Sequence, residues 1–198
     1  MPYSKFTLEE LKQKFNITLT GSKGKFNNLP EVAPSQILQE ILEDNVPLAV
    51  AIGSEKARSE FIVAPILGAM KKQLSPKISL FSGIEFNVDS ELGLNSFCDF
   101  IISYSAQQFF IESPVVALVE AKNDNLKSGL AQCIAEMVAA RIFNERQGNE
   151  IAKIYGVITT GTVWQFLELE GETVVLDLQE YSVENLPKIL GILTSFVS

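Results

Sequence analysis

Hydrophobic periodicity divides the chain into an ordered series of helices and strands. Ile62, Val63, Ile66 and Met70 recur at helical spacing and predict a helix from Glu55 to about Gln73, with Ser54 as its N-cap. Glu55 falls on the line of Ile62 and Ile66, whereas Glu60 falls on the other side with Ala64 and Lys71. Pro65 lies inside this pattern and is expected to kink or split the helix. Ile78 to Val88 reads as a strand, with Gly83 at a bulge position. Two short apolar runs follow, Phe97 to Tyr104 and Pro114 to Lys122, each bounded by turn formers and each reading as a buried strand. Leu126 to Arg146 predicts an amphipathic helix with Leu130, Ile134, Met137, Val138, Arg141 and Ile142 on its inner side. Ile151 to Thr160 reads as a strand buried on both sides. Val163 to Leu169 and Thr173 to Leu178 form a hairpin around Glu170-Gly171-Glu172, and Ser182 caps a last helix to about Phe196.

Residues 1–53 read as an N-terminal helical accessory segment. Thr7 and Glu10 make a capping box that starts a short helix to about Phe15. Gly21 to Pro30 is polar and loop-like, and Ser35 caps a helix from Gln36 to Glu43 with Ile37, Leu38, Ile41 and Leu42 as its apolar face. Residues 54–198 carry the main domain. Its order is helix, three strands, helix, strand, then hairpin and helix, which predicts an α/β domain with a mixed central sheet.

Charged residues mark the ends of the two apolar strands. Asp99 opens the first, and Glu120 and Lys122 close the second. Side chains alternate along a strand, so Glu120 and Lys122 point one way and Ala121 the other. If the two strands are antiparallel neighbours, Asp99 lies across from the end that carries Glu120 and Lys122. Burying unpaired charge is costly, and a divalent metal is one reason for such a convergence.

Composition narrows the chemistry. The 198 residues suffice for one domain with a real core, and 46% apolar with 20% charged residues argues against disorder. No apolar run reaches the roughly 20 residues that span a bilayer, and Met1 to Glu10 lacks a signal-peptide pattern, so a cytoplasmic protein without a membrane partner is expected. The chain has no histidine, which excludes histidine triads and leaves oxygen-preferring metals, chiefly Mg²⁺ or Mn²⁺. Cys98 and Cys133 alone cannot make a four-ligand zinc site. The net charge of −8 runs against a DNA-reading surface, and basic residues group only at Lys71, Lys72 and Lys77 and at Lys23 and Lys25. A homodimer or a protein partner would have to supply further basic surface.

Asp99, Glu120-Ala121-Lys122, Gln132 and Gly156-Val157-Ile158-Thr159-Thr160-Gly161-Thr162-Val163-Trp164, in that order, resemble the PD-(D/E)XK nuclease superfamily, the restriction-endonuclease-like fold. The resemblance covers roughly Ser54 to Thr160. More locally, the chain is similar to the N-terminal nuclease domain of type I restriction enzyme motor subunits. There a helical Glu, an Asp, a Glu-Ala-Lys, a helical Gln and a Gly-Ile-x-Thr-x-Gly-x-x-Trp strand pair follow one another. Cys98 stands where that family usually has proline. The whole chain is also similar to a group of uncharacterised bacterial proteins, mostly cyanobacterial.

The resemblance implies a metal-dependent nuclease acting on DNA, with Asp99, Glu120, Lys122 and Gln132 as its catalytic set. Asp99, Glu120 and the Ala121 carbonyl would hold Mg²⁺ or Mn²⁺, and Glu55 would serve a second metal or its water shell. Lys122 would orient the attacking water, and Gln132 would position that water or Lys122. Glu136, one turn after Gln132, reads as a structural partner. The acidic charge and the sparse basic residues motivate an alternative: a non-catalytic nucleic-acid-processing or regulatory interaction protein on the same fold.

Overall fold

The computed structural model describes residues 2–149 and 151–197. Its strands are β1 (Thr18–Ser22), β2 (Ser79–Glu85), β3 (Phe97–Ser103), β4 (Val115–Ala121), β5 (Lys153–Thr159), β6 (Val163–Glu170), β7 (Thr173–Asp177) and β8 (Tyr181–Ser182). Its helices are α1 (Leu8–Phe15), α2 (Gln36–Ile52), α3 (Glu55–Arg58), α4 (Ala64–Leu74), α5 (Leu126–Arg146) and α6 (Leu186–Ser195), with a π turn over Ser59–Val63 joining α3 to α4. The strands form one eight-stranded mixed sheet in the order β1-β7-β6-β5-β4-β3-β2, with β8 pairing β6. β2, β3 and β4 run antiparallel in sequence, whereas β4 and β5 are parallel and joined through α5. A parallel pair requires such a crossover.

The sheet is covered on both faces. Phe100, Val119, Val157, Trp164 and Phe166 face a core completed by α2, α4 and α6. Ile101, Leu118, Ile158, Leu167 and Val174 face a second core completed by α1 and α5. This is why β4 is buried along its whole length. Gly156 permits the close seat of α5 on β5: a Cβ there would lie 2.5 Å from Met137 Sδ and 2.8 Å from Cys133 Sγ.

Several sequence expectations change. Residues 1–53 contribute β1 to the sheet, where it pairs with β7, as well as α1 and α2 to its two faces. The polar composition of β1 hid it, because this edge strand is largely exposed. α2 continues to Ile52 instead of ending near Glu43, with the exposed Pro47 inside it. α5 is not amphipathic. Cys133 through Ala140 are buried in unbroken succession, because α1 and the 3₁₀ turn Tyr3–Lys5 cover the face turned away from the sheet. Arg141 accordingly lies partly exposed, bonded to the Gly171 carbonyl.

The break at Pro65 has a defined form. The chain enters the π turn just before the proline, where the Ala64 N–H reaches back to the Ser59 carbonyl. Pro65 has no N–H for the Phe61 carbonyl four residues earlier, and Asn45 Nδ2 donates to that carbonyl at 3.0 Å. Ile62, Val63, Ile66 and Met70 remain fully buried through the break. Among the described residues, no helix is long and apolar enough to cross a membrane.

Candidate functional site

β3 and β4 pair in constant register from Ile102↔Ala117 to Phe100↔Val119. Continued by one step, the register sets Asp99 opposite Glu120. Here the backbone ladder gives way to a side chain: Asp99 Oδ2 accepts the Ala121 N–H at 2.8 Å. On the other side of β3, the β2 pairing skips Gly83, which faces Asp99 in register with φ +60°. The sheet thus opens around Asp99 on both sides.

β4 carries Glu120 into this opening, with 1% of its surface exposed. Lys122 follows two residues later on the same side. Its backbone N–H donates to the Thr159 carbonyl at 2.7 Å, and its Nζ bonds Glu120 Oε1. Glu55, in the first turn of α3, brings Oε2 to 4.0 Å from Lys122 Nζ while its side chain stays half exposed. Glu60 instead pairs with Lys56 in solvent at 2.7 Å. Both glutamates border a cavity of about 260 Å³ that also meets Ser59, Ser82, Asp99 and Ala121.

Gln132 reaches this cluster at one remove. Its Nε2 donates at 3.1 Å to Glu136 Oε1, and Glu136 is completely buried beside Glu120. The link to Glu120 therefore runs through Glu136.

Burial dominates the electrostatics. It raises the Asp99 carboxyl, against the opposing pull of the Ala121 N–H. Burial and then the Asp99 charge push Glu120 up to about 7, although Lys122 works the other way. Glu136 is held well above the ordinary carboxylate range, first by burial and then by the charge of Glu120. Glu136 Oε2, like Glu120 Oε2, is buried without a hydrogen-bond partner, which disfavours the charged form of both carboxyls. For Lys122, burial alone would lower the pKa. Glu120, Glu55 and Asp99 outweigh it, and the ammonium is retained.

Sequence reasoning missed two contributors. Arg58 Nη1 donates to the Thr160 carbonyl at 3.0 Å, which ties the helix of Glu55 to the turn after β5. Gly129, in the first turns of α5, leaves room for Lys122: a Cβ there would lie 3.1 Å from Lys122 Cε and 3.0 Å from Ile158 Cγ2. Nothing in the sequence marks either contact, since both are long-range. Trp164 is core, fully buried, with its Nε1 donating to the Gly161 carbonyl at 2.8 Å.

The donor chemistry fits a hard divalent cation in part. Asp99, Glu120 and the exposed Glu55 offer oxygen ligands only, and Glu120 Oε2 is buried without a hydrogen-bond partner. A cation would remove the conflict between two carboxylates that burial opposes. Among the described residues, however, no group of three or more histidine, cysteine or acidic side chains stands ready to hold a metal. Glu55 would have to turn from Lys122 to complete one. No known family model and no curated protein matches the chain.

Proposed function

We propose that this protein is a metal-dependent phosphodiester hydrolase of the PD-(D/E)XK type, with a restriction-endonuclease-like core, acting on DNA in the cytoplasm. One observation carries the reading: Asp99, Glu120 and Lys122 meet where β3 and β4 part, and Asp99 lines an open cavity there. Charged groups buried at a cavity mouth with raised carboxyl pKa values are candidates for function.

Asp99, Glu120 and the Ala121 carbonyl would hold Mg²⁺ or Mn²⁺, with Glu55 from the exposed side. When bound, the metal supplies Lewis-acid polarisation of a phosphate oxygen and acidifies a water. Lys122 holds a positive charge at the site, kept there by Glu120 and Glu55, and would offset charge developing on the phosphoryl group. Gln132 serves as a positioning residue, since its amide fixes Glu136 beneath Glu120.

Cleavage of plasmid and oligonucleotide DNA by the purified protein with Mg²⁺ or Mn²⁺ tests this reading. The parent should cut, and Asp99→Asn and Lys122→Ala should not. A parent without cleavage, whose melting temperature Mn²⁺ leaves unmoved, would overturn it.

A non-catalytic interaction protein on the same fold is the second reading. The acidic rim favours it: Glu55, Glu60 and Asp99 border the cavity with Lys56 as the one basic residue. A polyanion approaching alone meets like charge there.

A further inference from the structure

We infer that the outer face of α2 and the groove beside it form a self-complementary docking surface for a second copy of this chain. α2 buries Leu38, Leu42 and Ala49 against the core. It also shows solvent a second apolar line of Ile37, Ile41, Leu48 and Ile52, exposed by 64%, 40%, 46% and 51%. At 100° per residue these four positions fall within one 60° sector, a ridge about 22 Å long. An exposed apolar face of this extent marks an interaction site.

Directly beside the ridge lies an apolar groove of about 560 Å³ between α2 and α4. Its walls include Ile37, Ile41, Pro65, Gly68 and Ala69, with Leu190 of α6 also lining it. Among the described residues, no contact within one copy requires glycine at position 68. It sits in the interior of α4, shows no positive φ, and a Cβ there would meet nothing within 4 Å. Glycine at such a position costs helix stability, and its use is to let something approach the backbone closely. The approach comes from outside the chain.

Charge selects the occupant. α2 carries Glu40, Glu43 and Asp44 and no basic residue, whereas α4 carries Lys71 and Lys72 and no acid. Among the described residues none of these five forms an ion pair. Glu40 and Asp44 flank the apolar ridge, and Lys72 flanks the groove. A two-fold axis at the groove would bring the ridge of each copy into the groove of the other. It would also set each acidic flank on the partner's lysine flank. An isologous interface needs a self-complementary patch, and a projection and a recess with opposite charges on one face provide one.

Sedimentation velocity over a range of protein concentrations tests the inference. The parent should form a dimer at micromolar concentration. Ile41→Glu and Gly68→Arg should each sediment as monomers with unchanged circular dichroism, since both positions are exposed. Lys71→Glu with Lys72→Glu should give a monomer, as should Glu40→Lys with Asp44→Lys. Mixing these two double variants should restore a dimer, because each then offers the charge that the other lacks. A parent that stays monomeric throughout the range would overturn the inference and assign the groove to a different occupant. A dimer that survives Ile41→Glu and Gly68→Arg would overturn it as well, as would a charge-swapped mixture that stays monomeric.

Discussion

Asp99 accepts the Ala121 N–H at 2.8 Å, one residue past the last backbone pair of β3 and β4. The same carboxylate thus closes the sheet and faces the cavity. Asparagine keeps an acceptor at that place and loses the charge. In the metal-free protein, Asp99→Asn should therefore leave the melting temperature unchanged or raise it, because it relieves repulsion with Glu120. Asp99→Ala removes the acceptor and should cost about 1–3 kcal/mol by leaving a buried N–H unpaired. Millimolar Mn²⁺ should raise the melting temperature of the parent alone, because a ligand that binds only the folded state stabilises it. Thermal melts of the three proteins, with and without Mn²⁺, check the prediction. A parent curve unmoved by Mn²⁺ would refute the metal site.

Glu120 gives the protein a pH signature. Its carboxyl titrates near 7 in the folded chain, above the ordinary value of 4.5. Between those values the unfolded chain releases this proton and the folded chain keeps it. Ionisation then favours unfolding, so stability falls as pH rises from about 4.5 through about 7 and levels off above. Glu120→Gln removes the group and still accepts from Lys122. The stability of Glu120→Gln relative to the parent should grow from pH 5 to pH 8 by on the order of 2–3 kcal/mol. Urea unfolding in the presence of a chelator, at pH 5, 6, 7 and 8, measures this difference. A gap that stays flat would show that the charge is relieved elsewhere.

The Asn45 side chain carries a separate burden, as donor to the carbonyl that Pro65 leaves without an N–H. Asn45→Ala should lose about 1–2 kcal/mol of stability. Arg58 independently pins the helix start near Thr160, so cleavage under native conditions should be unaffected. Denaturant titration beside a cleavage assay separates the two effects. A loss of cleavage without a loss of stability would place the π turn in the catalytic machinery.

The sequence exposed those parts of the fold in which a local signal and the final packing agree. The capping box of Thr7 and Glu10 forms as spaced, and α5 runs from Leu126 to Arg146 as its apolar positions suggest. The strands of Asp99 and Glu120 were legible because few contexts put acids on such apolar runs. Burial by distant segments was not legible. The middle of α5 is buried all round because Tyr3–Lys5 and α1 return to cover it, and no window around α5 contains that information. β1 gave no apolar alternation because it is an exposed edge strand. The place of Gln132 in the pattern suggests a direct contributor, whereas its bond to Glu136 depends on how deeply α5 is seated.

Gly129 offers the sharpest test of how Lys122 is placed. Helix propensity alone favours alanine over glycine by about 1 kcal/mol, so Gly129→Ala would stabilise an isolated helix. In the folded protein the new methyl would press on the Lys122 stem at 3.1 Å and on Ile158 at 3.0 Å. Ile158 is fixed in the core, whereas Lys122 is partly exposed and can swing. The lysine should yield by a few tenths of an ångström, and its grip on Glu120 should loosen. Stability should change by less than about 1 kcal/mol, as the two effects oppose each other. Cleavage should fall by about 10-fold, because small misplacements of a charged group are costly in a preorganised site. A looser Lys122 contact also weakens the pull that opposes Glu120's rise, so the Glu120 carboxyl should titrate higher than in the parent. Urea titration, cleavage rate and the pH dependence of stability form one set of measurements on this variant. Full cleavage with an unchanged Glu120 titration would show that Lys122 stands clear of Gly129 and that α5 does not position it.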